Sequence, residues 1–536
     1  MDASKIKLRL AELRRHRVQH EQVWRDCFEV SYPQRGTGLM SEVMDAGDAQ
    51  QRKARIYDST ATDSIKIAAA TLVNGTCPAN ARWFALDVGN ETDEERRWLD
   101  DCSQFIWENI HGSNFDAEVF DFMIDLQMGW AVLYCEEAPN GGYHFEAWPM
   151  GQCYITASTT GGRVDTIYRE QTLTVAQTVA LYGFDKVSES TRQKFDARKL
   201  DEKIQIVIAV EPREVYAVQA KLAKNMQWAS CHLEVQSGHI LRESGFPEFP
   251  CMVPRWMRLP ASPYATGPMS DALPDVRTLN EVVKWDLMGA EIALAPPLVA
   301  EDDGVLNAKN IKLGPRKIIV ANSVDSIKPL NSGVNVQYAQ LTIDRLQSAV
   351  RKTLMADQLP PADGPVKTAY EWSVRVETLR KILGPVFGRM QAEFLQPLVE
   401  RCFGIMWRAN EQAGYTLVGK PPASLLGRSF TVRYLSPLAK SQRLEDVASM
   451  DRLESALIQT AAGTQNPAVL DVYDWEEAER VRGTLLGVPQ KLVLSAKAVA
   501  LVRNQRRQAE QQSKEQESQM QVAQEAQTAM ARSMAA

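Results

Sequence analysis

The chain has 536 residues, of which 45% are apolar and 24% charged, and carries a formal net charge of −6. That length exceeds one compact core and implies two to four domains, and the apolar share is that of a globular protein. The acidic balance excludes wrapping nucleic acid with the whole surface, so any contact with DNA is local or weak.

The eight cysteines are Cys27, Cys77, Cys102, Cys135, Cys153, Cys231, Cys251 and Cys402. None forms a C-x-x-C pair, and their spread suits free thiols in a reducing compartment. The N-terminus is charged and periodic, without a signal-type apolar core. No apolar run approaches the roughly 18 residues that span a bilayer. These features predict a soluble, intracellular protein without a membrane span.

Ile6, Leu10 and Leu13, then Val23, Trp24 and Phe28, fall at helical spacing and predict an opening amphipathic helix. "YDSTATDSIKIAAATLVNGTC" repeats that logic, with an apolar stripe of Ile65, Ile67 and Leu72 and a stop at Gly75 and Pro78. From about Trp130 to Phe249 the period changes. "WAVLYCEE", "YHFEAWPM", "CYITAS", "RVDTIYREQ", "KIQIVIAVE" and "CHLEV" read as short strands split by turns such as "PNGG" and "TTGG".

A Pro-rich stretch then leads into "DVRTLNEVVKWDLMGAEIALAPP". Pro274 suits a first helical turn, and Pro296 and Pro297 end the helix. Its apolar stripe of Val282, Val283, Leu287 and Ile292 needs a cover. Two strand-like pieces follow, around "KLGPRKIIVAN" and "SVDSIKPL". "NVQYAQLTIDRLQSAVRKTLMADQ" predicts a second helix of similar length. The two helices would form a stalk whose head is the small β insertion.

The loop "LPPADGPVKTAYE" comes next. Pro360, Pro361, Gly364 and Pro365 forbid helix, while Thr368 with Glu371 reads as a capping box that starts one. Lys367 sits at that boundary. The long helix beyond must kink at Pro385 and Pro397. From Lys491 to Ala536 there is no Gly or Pro, and nine of the last 36 residues are Gln, so the tail reads as a poorly packed helix.

"GYTLVGKP", Gly414 to Pro421, approaches a phosphate-binding loop, with Lys420 in the lysine position. Pro421 stands where the Mg²⁺-binding hydroxyl belongs, and no strand leads in, so a surface turn is the better reading. His16 and His20 lie four apart on the first helix, a metal-ligand spacing, but without the intervening Glu of a zinc hydrolase they read as surface histidines. There is no G-x-S-x-G. Asn74 and Asn90 match glycosylation sequons that carry no meaning in a cytosolic protein. No catalytic residue, metal ligand or cofactor site is assigned. Lys309, Lys312, Arg316, Lys317 and Lys328 cluster in the insertion, either as a solvated face or as a docking surface for an acidic partner or phosphates.

The segments "SIKIAAATLVNGTCPANARWFAL", "FPCMVPRWMRLPASPYATGPMSDALPDVRTLNEVVKWDLMGAEIALAPPLV" and "TAYEWSVRVETLRKILGPVFGRMQAEFLQPLVERCF", in that order, give the chain a family likeness up to about residue 490. It resembles the portal (head-to-tail connector) proteins of short-tailed, podovirus-type bacteriophages. The resemblance implies an α+β, mainly helical fold assembled as a ring, commonly of twelve copies, at one capsid vertex. Double-stranded DNA would pass through its channel during packaging and ejection.

The implied regions are a wing over 1–270 with its β-rich module at about 130–250, and stem helices at 271–295 and 335–356. Between them lies a clip at 296–334. A tunnel loop at 357–367, a kinked helix and wing at 368–435, a crown at 436–490 and a C-terminal barrel helix at 491–536 complete the order. Lys367, with Pro360, Pro361, Gly364 and Pro365, would then face the channel, unless Lys367 pairs with Glu371. Lys309, Lys312, Arg316 and Lys317 would dock the terminase packaging motor or the tail adaptor. Capsid and scaffold proteins are further implied partners. The protein would reside in the virion, and in the host cytoplasm during assembly. A non-channel scaffold or adaptor is the alternative, and a nucleic-acid-processing enzyme a weaker one, since it needs an intact nucleotide loop.

Overall fold

The computed structural model describes residues 2–41, 46–89, 92–139, 141–159, 161–217, 222–294, 298–300, 327–329, 336–356, 384, 386–425, 427–428, 430–435, 437–486, 499–509 and 511. It is α+β and mainly helical, and it divides into two compact units, residues 1–81 with 106–412 and residues 82–105 with 413–536.

In the first unit, the helix Ala3–Ser31 lies on a five-stranded antiparallel sheet. The strands Cys153–Thr156, Thr166–Thr174, Lys203–Pro212, Trp228–Glu234 and Ile240–Phe246 pair in chain order. Alternation along Lys203–Pro212 divides two cores, because successive side chains point to opposite faces. Val207 and Ala209 meet Ile6, Leu10 and Leu13 of the helix. Ile204 and Ile206 face the other way and pack with Val175, Tyr182, Val187 and Leu241. The helical stripe continues through Trp24 and Phe28, but Val23 falls off it and is exposed.

That second core is covered by two helices for which strand periodicity gave no warning, Val175–Tyr182 and Glu189–Asp196. A local signal existed. Thr174 and Gln177 form a complete capping box, the Thr174 hydroxyl accepting from the Gln177 amide while the Gln177 side chain accepts from the Thr174 amide. A second sheet orders Tyr143–Trp148, Val132–Glu137 and Cys251–Met252 antiparallel. The helices Thr60–Thr76 and Phe115–Leu126 pack against each other, the former ending just past Gly75 as expected.

In the second unit, Phe84–Asp87 pairs with Thr431–Tyr434. The Ser103 hydroxyl accepts from the Leu86 amide and donates to the Leu99 carbonyl, fixing the helix Asp93–His111 beside that strand. The helices Pro437–Thr464 and Trp475–Leu486 are tied by Arg482, which binds Glu454 and reaches Asp451 at 3.0 Å. Tyr473 donates to Glu454 at 3.0 Å. Residues 499–509 of the tail are helical, as their composition predicts.

Candidate functional site

Two long helices carry the features that set this molecule apart. Pro268–Leu294 has 27 residues and Val336–Thr353 has 18, about 40 and 27 Å at 1.5 Å per residue. They pack on each other, but their described lengths are not matched. The first starts at Pro268, not at Pro274. Pro268 has the missing N–H and fixed φ suited to a helix start. Pro274 lies inside and removes one backbone bond, to the Ser270 carbonyl.

The root of Pro268–Leu294 is fixed by two glycines. A Cβ on Gly267 would lie 2.2 Å from the Gln127 carbonyl oxygen, and one on Gly129 2.3 Å from the Ala265 oxygen. Gly129 also holds φ +142°, which disfavours any side chain. This close approach lets the Met269 amide donate to the Gln127 carbonyl at 3.1 Å. Met269, Ala272, Val276 and Leu279 are buried. Arg277 pairs with Asp26 at 2.7 Å. Asn280 accepts from the Tyr57 amide at 2.7 Å and donates to the Arg55 carbonyl at 3.2 Å. From Val336–Thr353, Gln347 donates to Asp58 at 2.8 Å, while the other Asp58 oxygen accepts from the Thr60 amide.

Beyond this root the environment reverses. Trp285 is 63% exposed, Leu287 54%, Met288 51% and Ile292 39%, and Leu341 on the second helix is 70% exposed. Trp285, Met288 and Ile292 lie at i, i+3 and i+7, so they form one stripe. Leu287 and Ile292 are exposed as the sequence predicts, whereas Val282 and Val283 are only half-exposed. Trp285 and Met288, absent from the predicted stripe, dominate it. Their helical spacing was the available signal.

At the far ends of these helices, Leu298–Ala300 pairs antiparallel with Ile327–Pro329, in the register Val299 to Lys328. The second strand falls within "SVDSIKPL" as predicted. Its partner, Leu298–Ala300, is not among the strands predicted from the sequence, and the strand-like piece "KLGPRKIIVAN" lies outside the described residues. Lys309, Lys312, Arg316 and Lys317 lie outside the described residues, as do Pro360, Pro361, Gly364, Pro365, Lys367, Thr368 and Glu371.

Where the sequence predicts a kink at Pro397, the backbone forms a π-helical turn, Gln391–Leu395, that leads into the helix Gln396–Gln412. Proline cannot donate to a preceding carbonyl and crowds the turn before it, and a widened turn accommodates both. Pro385 lies outside the described residues. Within the turn, the Glu393 carboxylate is buried against Arg255, which donates from its amide at 3.0 Å and from its guanidinium at 2.5 and 3.1 Å.

Gly414, Tyr415 and Gly419 of the loop resembling a phosphate-binding motif adopt φ of +66°, +66° and +78°. The helix Gln396–Gln412 feeds that loop and a short 3₁₀ turn, Ala423–Leu425, follows Pro421 and Pro422. This is not the strand–loop–helix that cradles phosphate. His16 is exposed. His20 is not a plain surface histidine: its ring packs on Trp24 and Tyr264 with centroids 5.7 and 5.4 Å away, and burial lowers its pKa. Among the described residues, no three His, Cys, Asp or Glu side chains are grouped to hold a metal, and no helix is long and apolar enough to cross a membrane. All eight cysteines are unpaired and buried.

Comparison with known proteins bears on most of the chain. A protein named "Probable portal protein" from Bordetella phage BPP-1 is 29% identical over 518 residues, covering 93% of this chain and 90% of its own. The "Portal protein" of Salmonella phage epsilon15 is 26% identical over 517 residues, with the same two coverages. A solved structure titled "Neck of empty GTA particle computed with C6 symmetry" aligns over 80% of this chain and 90% of its own, at 11% identity and a TM-score of 0.31, too low to bear on the fold. Residues 3–494 match the family described as bacteriophage head to tail connecting protein, and to that family the chain belongs.

Proposed function

We propose that this protein is the portal of its phage: copies assemble as a closed ring, commonly of twelve, at one capsid vertex. Double-stranded DNA enters and leaves the head through the central channel. In this reading Pro268–Leu294 and Val336–Thr353 are the stem, and the segment joining them, which includes the paired strands, is the clip. Residues 357–367 form the loop facing the channel. Residues 436–490 form the crown and 491–536 the barrel helix. The clip docks the packaging motor and tail adaptor through Lys309, Lys312, Arg316 and Lys317, and the outer body meets capsid and scaffold proteins. Assembly takes place in the host cytoplasm and the product resides in the virion.

The observation that carries this reading is the reversal along one helix. Its root is buried and clamped, while Trp285, Met288 and Ile292 stand in solvent along one face. An apolar stripe of that kind on a rigid projecting helix is a surface for another chain, and a heterologous contact repeated by rotation closes a ring. Family membership supplies the copy of itself as that chain. Negative-stain images of the purified protein should show rings with a central hole. Monomers alone in light scattering at micromolar concentration would rule the ring out. The family is structural, and no catalytic step is assigned. The purified protein should hydrolyse neither ATP nor DNA, and ATP turnover abolished by Lys420→Ala would reverse that assignment.

A further inference from the structure

The helix Val336–Thr353 stops at a residue poorly suited to stopping it. The Met355 amide donates to the Lys352 carbonyl at 3.1 Å and the Ala356 amide to the Arg351 carbonyl at 2.8 Å, the paired closure of a Schellman motif. That closure puts Met355 in the left-handed region, at φ +58°. Glycine normally takes this position, because a Cβ there crowds the backbone.

The helix Glu189–Asp196 offers a control within the same chain. Arg198 closes it identically at φ +56°, donating to Phe195, while Lys199 donates to Lys194. Both neighbours of Arg198 are exposed, so no buried side chain clamps that turn from either side. Met355 is different. Leu354 and Ala356 on either side are buried, as is Val350 one turn back. Packing of the flanks therefore holds Met355 in a conformation that its own backbone resists.

We propose that Met355 is a strained joint, clamped by Leu354 and Ala356, that opens ahead of the helix it terminates. Undocking the two flanks lets Met355 relax into the right-handed region and frees the amides of residues 355 and 356, while the body of the helix stays closed. The joint immediately precedes the segment 357–367. Its bearing on the channel rests on the proposed function, whereas the joint itself rests on this geometry.

Hydrogen exchange followed by mass spectrometry on the full-length protein, corrected for intrinsic rates, tests it. In wild type the amides of residues 355 and 356 should exchange faster than those of residues 347–350. Met355→Gly and Met355→Asn, which tolerate the left-handed region, should slow that exchange about fivefold. Met355→Val, which tolerates it least, should speed it by a similar factor. Exchange in the Gly and Asn variants as fast as in wild type overturns the proposal. Light scattering on the same samples separates the two claims. A monomer showing the expected exchange pattern keeps the joint and refutes the ring, and a ring with no response at residue 355 does the reverse.

Discussion

At Gly267 a single methyl decides whether the long helix can be rooted. The Cβ of an alanine would sit 2.2 Å from the Gln127 carbonyl oxygen and 2.5 Å from the Gly129 amide nitrogen. Both are backbone atoms that cannot swing aside. Gly267→Ala should cost about 2–3 kcal/mol in chemical denaturation, at the upper end for an overpacked site. An unchanged midpoint would show that the turn relaxes freely. His232 gives a residue-scale prediction of another kind. Its ring is held by the Tyr182 hydroxyl, 2.8 Å from Nδ1, and burial, with Arg242 nearby, depresses its pKa to about 4. The folded state therefore binds that proton less well than the unfolded chain, whose value is near 6.5. The stability due to neutral His232 is complete above about pH 6.5 and is lost as pH falls toward 4, by at most about 3 kcal/mol. His232→Gln should flatten the stability profile in that window. A parallel profile would assign the acid sensitivity to other groups.

At the scale of elements, the turn Gln391–Leu395 and the ion pair inside it form one device. Arg255 and Glu393 are both buried, and three hydrogen bonds join them. Removing one partner strands the other's charge away from water, so Arg255→Ala should cost about 3–5 kcal/mol. Replacing both at once, Arg255→Met with Glu393→Met, should recover most of that loss, because the desolvation penalty disappears with the charges. A double variant as unstable as the single one would mean that the pair specifies the turn itself. Pro397 made a kink legible in the sequence. It could not show that Arg255, well over a hundred residues earlier, meets Glu393 inside the π-turn just before it.

At the scale of the whole molecule, assembly is the quantity to measure. A large apolar side chain gains about 1.5–3 kcal/mol on full burial, and each subunit of a closed ring buries its stripe once. Trp285→Glu with Met288→Glu should shift the protein from ring to monomer at micromolar concentration without unfolding it, since both side chains are exposed in the subunit. Native mass spectrometry that still finds rings would place the interface elsewhere. Channel and clip chemistry can then be probed in assembled rings. Lys367→Glu should lower the DNA packaged or retained by capsids, because a belt of single lysines attracts the duplex weakly enough to let it slide. Wild-type packaging and retention in that variant would favour its pairing with Glu371. Arg316→Glu with Lys317→Glu should leave rings intact and weaken motor or adaptor binding, most at low salt.

Features that depend on near neighbours were legible from the residues alone. The 3.6-residue stripe of Ile6, Leu10 and Leu13, the period-2 strands from Trp130 to Phe249 and the kink at Pro397 follow from side-chain spacing and backbone sterics. The quoted segments and their order also carried the family likeness, and residues 3–494 match that family. Tertiary structure decided what depends on partners distant in the chain. Gly267 and Gly129 became a root only when two turns approached within a methyl's width. Val282 and Val283 became half-covered while Trp285 and Met288 became the exposed stripe, because the packing of the two long helices sets which side of each is left in solvent. Met355 ended its helix against its own preference because buried neighbours hold it there. Periodicity identifies an apolar face, but only the fold determines which part of that face remains for another chain to cover.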